Sequence, residues 1–184
     1  MADNKLVLHP VNPWAILQDP EALLEALRGN GLITVAFSHV GELHYKAGRR
    51  FKDLLVFREG APGQGADVGS FHVSLLETTD DPNFLGASNT QPPVCPGCQG
   101  RLADWTAQLG EWHLNKRRYQ WACATCGRRS PVEELDWGAT GGVARYSLDL
   151  WNIEYEEATP SAELLTCLEH ATFENWRYFY YRFS

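Results

Sequence analysis

Residues 93–131 read PVCPGCQGRLADWTAQLGEWHLNKRRYQWACATCGRRSP and hold four of the five cysteines in the chain. The four form two Cys-x-x-Cys pairs, Cys95/Cys98 and Cys123/Cys126, with 24 residues between them. Each pair places two sulfur atoms on one tight turn, so two turns supply four thiolates, a complete tetrahedral shell for Zn²⁺. Because catalytic zinc keeps one coordination position open, we expect one structural Zn²⁺ per chain.

The two pairs resemble the metal knuckles of the zinc-ribbon class, in which one metal clamps two β-hairpins. Gly127 follows the second pair and can take the positive φ that a knuckle often needs, whereas the first pair has Gly100 one place later. The resemblance covers residues 93–131 and implies a small module held together by its metal. Two alternatives stay open from the sequence: a rubredoxin-like iron site with the same ligands, and two disulfides, which need an oxidising compartment.

The composition bounds the rest of the chain. With 184 residues, 44% hydrophobic, and seven Trp, seven Tyr and eight Phe, the chain can bury one aromatic-rich core and carry an inserted module. No apolar run approaches the length of about 18 residues that a membrane span needs. The N-terminus also lacks the basic and apolar segments of a signal peptide. We therefore expect a cytoplasmic protein without a membrane partner.

The net charge of −7 is unevenly distributed. Residues 95–130 carry six basic and two acidic side chains, whereas residues 131–184 carry ten acidic and three basic ones. An acidic body suits a basic protein partner better than a nucleic-acid backbone. The partner-binding residues that we expect lie in the acidic C-terminal part: Glu154, Glu156, Glu157 and Glu163.

Two segments share the order strand, helix, strand. In the first, a strand at residues 5–9 precedes a helix that starts at Asp19-Pro20 and a strand at residues 32–40. In the second, the alternating residues 146–155 precede a helix that starts at Thr159-Pro160 and an aromatic strand at residues 176–183. The two βαβ-like units predict an α+β fold with an antiparallel or mixed sheet, and a ferredoxin-like sandwich is one such fold.

Further strands are expected at residues 52–58 and 70–77, as a hairpin with a long loop between them. The metal module then interrupts the sheet. We predict a sheet domain made of residues 1–92 and 143–184, with an inserted zinc ribbon at residues 93–142.

The sequence is consistent with three functions. The first is a non-enzymatic zinc-binding protein that acts through protein–protein contacts, such as an adaptor or an acidic inhibitor or immunity-type protein. The second is a nucleic-acid-associated accessory factor that uses the basic part of the ribbon: Lys116, Arg117 and Arg118. The third is an enzyme, if polar side chains converge from neighbouring strands: His39, His44 and His72, with Glu42 and Glu77 nearby. The sequence does not fix whether these histidines meet.

Overall fold

The computed structural model describes residues 4–77 and 80–183. Within them the helices are α1 (Pro20–Gly29), α2 (Pro62–Gly65), α3 (Trp105–Leu114) and α4 (Ala162–Thr172). The strands are β1 (Lys5–Pro10), β2 (Ile33–His39), β3 (Glu42–Ala47), β4 (Leu55–Phe57), β5 (His72–Glu77), β6 (Asn83–Gly86), β7 (Trp121–Ala122), β8 (Arg129–Ser130), β9 (Gly141–Ala144), β10 (Tyr146–Trp151), β11 (Ala158–Pro160) and β12 (Trp176–Tyr181). The chain is therefore an α+β protein.

The main sheet has six strands in the order β12-β1-β10-β5-β3-β2. Every neighbouring pair in it is antiparallel, so β1 and β2 point the same way, as do β10 and β12. The two predicted strand–helix–strand units thus correspond to β1-α1-β2 and β10-α4-β12. A simple four-stranded ferredoxin-like sheet does not form, because β3 and β5 stand between β10 and β2.

The helices α1 and α4 both begin at a side-chain cap. Asp19 Oδ1 accepts a hydrogen bond from the Ala22 N–H (2.9 Å) at the start of α1, and Ser161 Oγ caps α4 through the Leu164 N–H (3.2 Å). The cap of α4 is thus two residues later than the predicted Thr159. The leucines of both helices and those on one face of the sheet form the main hydrophobic core. Within the described residues, no helix is long and apolar enough to cross a membrane.

A second hydrophobic core lies in the segment between β5 and β10. It contains buried Trp112, Trp121 and Trp137 together with Cys95 and Cys123. The segment is fastened at its base, because β6 pairs with β9 in the register Asn83↔Ala144 to Gly86↔Gly141. The segment that carries the four cysteines is therefore anchored as a loop whose two ends lie side by side.

His9 lies where the second core meets the main sheet. A Cβ atom on Gly142 of β9 would come within 2.4 Å of His9 Nε2, so only glycine fits there. His9 is 2% exposed, its Nδ1 lies 2.9 Å from the Pro10 carbonyl oxygen, and its ring meets Phe179 edge-on at 5.8 Å. Burial, reinforced by the positive charge of Arg177, lowers the pKa of His9 to about 3. The imidazole is therefore held neutral in the folded protein.

Two expectations about the middle of the chain are wrong. Residues 52–58 and 70–77 do not form a hairpin, because β4 pairs with β11 and β5 pairs with β10 and β3. Residues between the cysteine pairs also form a helix, α3, where the ribbon resemblance implied hairpins alone. The side chain of Gln108 explains how α3 is held: its amide donates to the Ala122 carbonyl (2.9 Å) and its oxygen accepts from the Ala122 N–H (2.7 Å).

Candidate metal centre

The two cysteine pairs sit on turns with matching backbone geometry. In the first turn, the Cys95 N–H donates to the Gly100 carbonyl (2.9 Å) and the Gln99 N–H donates to the Cys95 carbonyl (3.0 Å). The second turn repeats both bonds at positions 28 residues later, with lengths of 2.9 and 2.8 Å. The residue after each second cysteine has positive φ, +60° at Gln99 and +73° at Gly127. In the first knuckle a glutamine, Gln99, therefore takes the positive φ for which a glycine was expected.

The four sulfur atoms form one compact cluster. The Cys95 and Cys126 Sγ atoms are 3.7 Å apart, the Cys98 and Cys123 Sγ atoms are 3.6 Å apart, and all four lie within 4.8 Å of one another. Zn–S bonds of about 2.3 Å at tetrahedral angles place sulfur atoms about 3.8 Å apart. A disulfide needs a separation of about 2.05 Å, and all four cysteines are free thiols. The geometry therefore fits one metal ion and not two disulfides.

Backbone hydrogen bonds lower the pKa of three of the thiols, and the neighbouring sulfurs make the three differ. A hydrogen bond from the Cys126 backbone lowers the pKa of Cys123 to about 6, and one from the Cys98 backbone lowers the pKa of Cys95. At Cys98 the Gly100 backbone acts in the same direction, but the neighbouring Cys123 sulfur and burial raise the pKa to about 11. The second turn thus favours the thiolate at Cys123, and a cation that took all four sulfurs would displace the remaining protons.

The cluster is half enclosed. Cys95 and Cys123 are buried against the tryptophans of the second core, whereas Cys98 and Cys126 reach the surface. Four protein ligands complete a tetrahedral shell and leave no position for a substrate. Such a centre can stabilise the second core and can do no Lewis-acid chemistry while the shell is closed.

The basic residues predicted as a nucleic-acid site follow α3, and two of the three are engaged within the chain. Lys116 Nζ donates to Asn83 Oδ1 (3.0 Å). Arg117 pairs with Asp81 at 2.7 Å between Nη2 and Oδ1, and its guanidinium lies 5.3 Å from the Trp14 ring centre. These contacts compete with phosphate binding.

The predicted acidic residues do not form one exposed surface. Glu157 is 1% exposed, and its carboxylate accepts hydrogen bonds from the Gly63 N–H and, at 2.7 Å, the Glu154 N–H. Glu163 pairs with Arg50 at 2.9 Å, and Glu154 accepts from the Asn4 amide at 2.5 Å. Glu157 is thus a structural acceptor in the interior, where no partner can reach it.

The three histidines converge. His39 of β2, His44 of β3 and His72 of β5 point to one face of the sheet, with ring centres separated by 5.0 Å (His39–His44), 5.1 Å (His39–His72) and 4.9 Å (His44–His72). His44 is 1% exposed, while His39 is open to solvent. Glu42 of β3 lies directly opposite His39 in the register of the two strands. Glu77 lies at the other end of β5 from His72.

Sequence reasoning missed a buried ion pair on the same face. Lys5 of β1 pairs with Asp149 of β10, which is 1% exposed and accepts from Ser147 Oγ (2.9 Å) as well. The Lys5 ammonium lies 4.5 Å from the Trp151 ring centre and 4.7 Å from that of Tyr181. Burial raises the pKa of Asp149 although Lys5 opposes the shift. The available signal was a lone carboxylate in the middle of a strand that is otherwise largely apolar.

Comparison of the chain with protein-family models, with curated proteins and with solved structures gave no match. The four-cysteine centre and the polar face of the sheet therefore carry the functional argument, and the centre is consistent with zinc binding.

Proposed function

We propose that the chain is a non-enzymatic protein with one structural Zn²⁺ in a ribbon-like module, and that it acts by binding another protein. The module's thiolate centre suits a reducing compartment, the cytoplasm. The observation that carries the binding proposal is the free edge of the main sheet at β2.

β2 is an edge strand that pairs regularly with β3 from Ala36 to His39, after a register shift between Ile33 and Ala36. Within the described residues its only strand partner is β3, and most of its side chains are exposed. Its sequence, Ile-Thr-Val-Ala-Phe-Ser-His, contains no proline, lysine or acidic residue, which are among the devices that keep edge strands from adding a further strand. The register shift is another such device, and it leaves the segment from Ala36 to His39 as the regular part of the edge. The exposed backbone thus offers a template for strand addition, in which a partner's extended segment pairs with the sheet.

The turn that follows β2 adds exposed apolar side chains to the same surface. Val40 and Gly41 link β2 to β3 with φ of +49° and +83°. A β-branched residue pays steric strain at positive φ, yet Val40 is 91% exposed and gains no packing within the chain in return. Val35 and Leu43 add apolar side chains that are 63% and 59% exposed. A partner protein that covers this hairpin would remove all three from water.

The partner is a basic protein with an extended segment. The net charge of −7 attracts such a protein and speeds its encounter, an effect that salt screens. Nucleic acid is a weaker candidate, because the chain is acidic and Lys116 and Arg117 already have intramolecular partners.

The test compares two equivalent substitutions. Val35→Lys places a charge on the β2 edge, whereas Val56→Lys does the same on β4, where Val56 is 59% exposed. Wild type and both variants are used as bait in a pull-down from native lysate, and the bound proteins are quantified by mass spectrometry. We expect a protein that binds wild type to be lost with Val35→Lys and retained with Val56→Lys. Equal retention by both variants would refute the proposed surface.

A further inference from the structure

We propose that His39, His44 and His72 form a second metal site, for a divalent transition-metal ion such as Zn²⁺, independent of the four cysteines. The three ligands would come from three adjacent strands of the main sheet, β2, β3 and β5. The site goes beyond the proposed function and does not depend on it.

The spacing of the rings matches a tripod of imidazoles around one ion. With Zn–N bonds of about 2.05 Å and a ring centre about 1.15 Å behind each nitrogen, tetrahedral angles place ring centres about 5.2 Å apart. The three observed separations are 4.9, 5.0 and 5.1 Å, which is nearly an equilateral triangle. Packed aromatic rings also lie about 4.5–7 Å apart, so the distances admit a metal and the chemistry of the pocket has to favour one.

The rings have to turn, and the parallel stacking of His72 on Trp151 is lost when His72 turns. Among the described residues, the four cysteines alone place the ligand atoms of three or more residues within 4.8 Å of one another. The imidazoles must therefore turn about χ2 to aim their nitrogens at one point. The axis of this torsion runs close to the ring centre, so the turn leaves the triangle in place, and χ2 of histidine has a broad energy profile.

The chemistry of the pocket favours a metal. Within the described part of the chain, buried Nδ1 of His44 has no hydrogen-bond partner, a cost that coordination would remove. Burial, together with the neighbouring His39, lowers the pKa of His44 and keeps the neutral form that ligates metals. Glu42 adds a carboxylate at the rim, which favours a cation.

Aromatic side chains enclose the site on two sides. The ring centre of Phe37 lies 5.9 Å from those of His44 and His72, and the ring centre of Trp151 lies 5.5 Å from both as well. Such an apolar wall limits access of water to bound metal and strengthens the interaction with neutral nitrogen ligands. Three protein ligands leave a fourth position toward solvent on the side of His39, unlike the closed cysteine shell.

The experiment measures zinc stoichiometry by equilibrium dialysis against micromolar free Zn²⁺, followed by elemental analysis. Wild type is expected to hold two Zn²⁺ per chain and His39→Ala one. The affinity of the second site should fall by at least about 100-fold, because even changes behind a ligand cost about 10- to 100-fold. His170→Ala is the matched control, since His170 is an exposed histidine of α4, and should keep two.

Cobalt separates the two sites. Co²⁺ bound to thiolates gives a sulfur-to-metal charge-transfer band, whereas Co²⁺ bound to imidazoles does not. We expect that band to saturate at one equivalent in wild type and in His39→Ala alike, while the second equivalent binds wild type without adding to it. One Zn²⁺ per chain in wild type, or two in His39→Ala, would overturn the proposal.

Discussion

The neutral, buried His9 should make the protein lose stability in mild acid. In the unfolded chain a histidine has a pKa of about 6.5, whereas in the folded protein the pKa of His9 is lowered to about 3. At pH values between these two pKa values, His9 is protonated in the unfolded state and neutral in the folded state. The contribution of His9 is therefore fully present above pH 6.5 and is lost as the pH falls from there toward 3.

The size of the loss follows from the pKa difference. At pH 5 the solution lies about 1.5 units below the unfolded pKa, and each unit is worth about 1.36 kcal/mol, so His9 alone should cost about 2 kcal/mol. That is a large share of the stability of about 5–15 kcal/mol of a typical domain.

The surroundings of His9 oppose its protonation. Arg177 of β12 repels a second positive charge, and the small cavity beside the ring, about 10 Å³, barely reaches the size that one water molecule needs. Glu133, which lines the same cavity, is the carboxylate that would favour a proton there. Burial is the first cause of the lowered pKa, and it acts whatever the balance of these two charges.

The assay is urea unfolding at pH 8 and pH 5 for wild type and two variants. His9→Asn keeps a polar group near the Pro10 carbonyl but cannot titrate, so its stability should fall by about 2 kcal/mol less than that of wild type between the two pH values. His170→Asn replaces an exposed side chain and should follow wild type. Acid release of metal affects all three proteins and cancels in the comparison. Equal losses in wild type and His9→Asn would refute the reasoning.

Three further outcomes follow from single contacts. Cys123→Ser removes one of four metal ligands and should open residues 93–142 to limited proteolysis before the main sheet; simultaneous cleavage throughout would contradict two separate cores. Glu157→Gln leaves one of two buried N–H groups without its acceptor and should cost about 1–3 kcal/mol in urea unfolding, whereas no loss would mean that the buried carboxylate is dispensable. Gly142→Ala places a methyl group against His9 and should lower the free energy of unfolding by about 1–3 kcal/mol, measured as a lower thermal midpoint. An unchanged midpoint would show that the structure around His9 accommodates the methyl group.

The parts of the fold that sequence could predict are those set by local chemistry. The start of α1 follows from Asp19 and Pro20, and its buried face follows from leucines at helical spacing. The helix α3 was missed because it has no side-chain cap, contains Gly110 and buries only Gln108 and Trp112. Packing against the second core, not local propensity, determines it.

The same distinction holds for the sites. The cysteine centre was predictable because each pair of ligands lies on one turn, so spacing alone brings the sulfurs together. The histidines were visible as residues but not as a cluster. Their meeting depends on the order β5-β3-β2 and on the registers Phe37↔His44 and Lys46↔His72. Register is set by long-range pairing that one sequence does not display.

The position of β1 has a consequence for how the protein is made. This strand is synthesised before the other described strands, yet both of its neighbours, β10 and β12, lie far along the sequence, beginning at Tyr146 and Trp176. Leu6 and Leu8 therefore have no strand partner until their neighbours in β10 and β12 have been synthesised. Pairings this distant in sequence slow folding and leave the nascent chain open to aggregation. The cysteine knuckles, by contrast, are complete by residue 130 and can capture their metal while the sheet is still open.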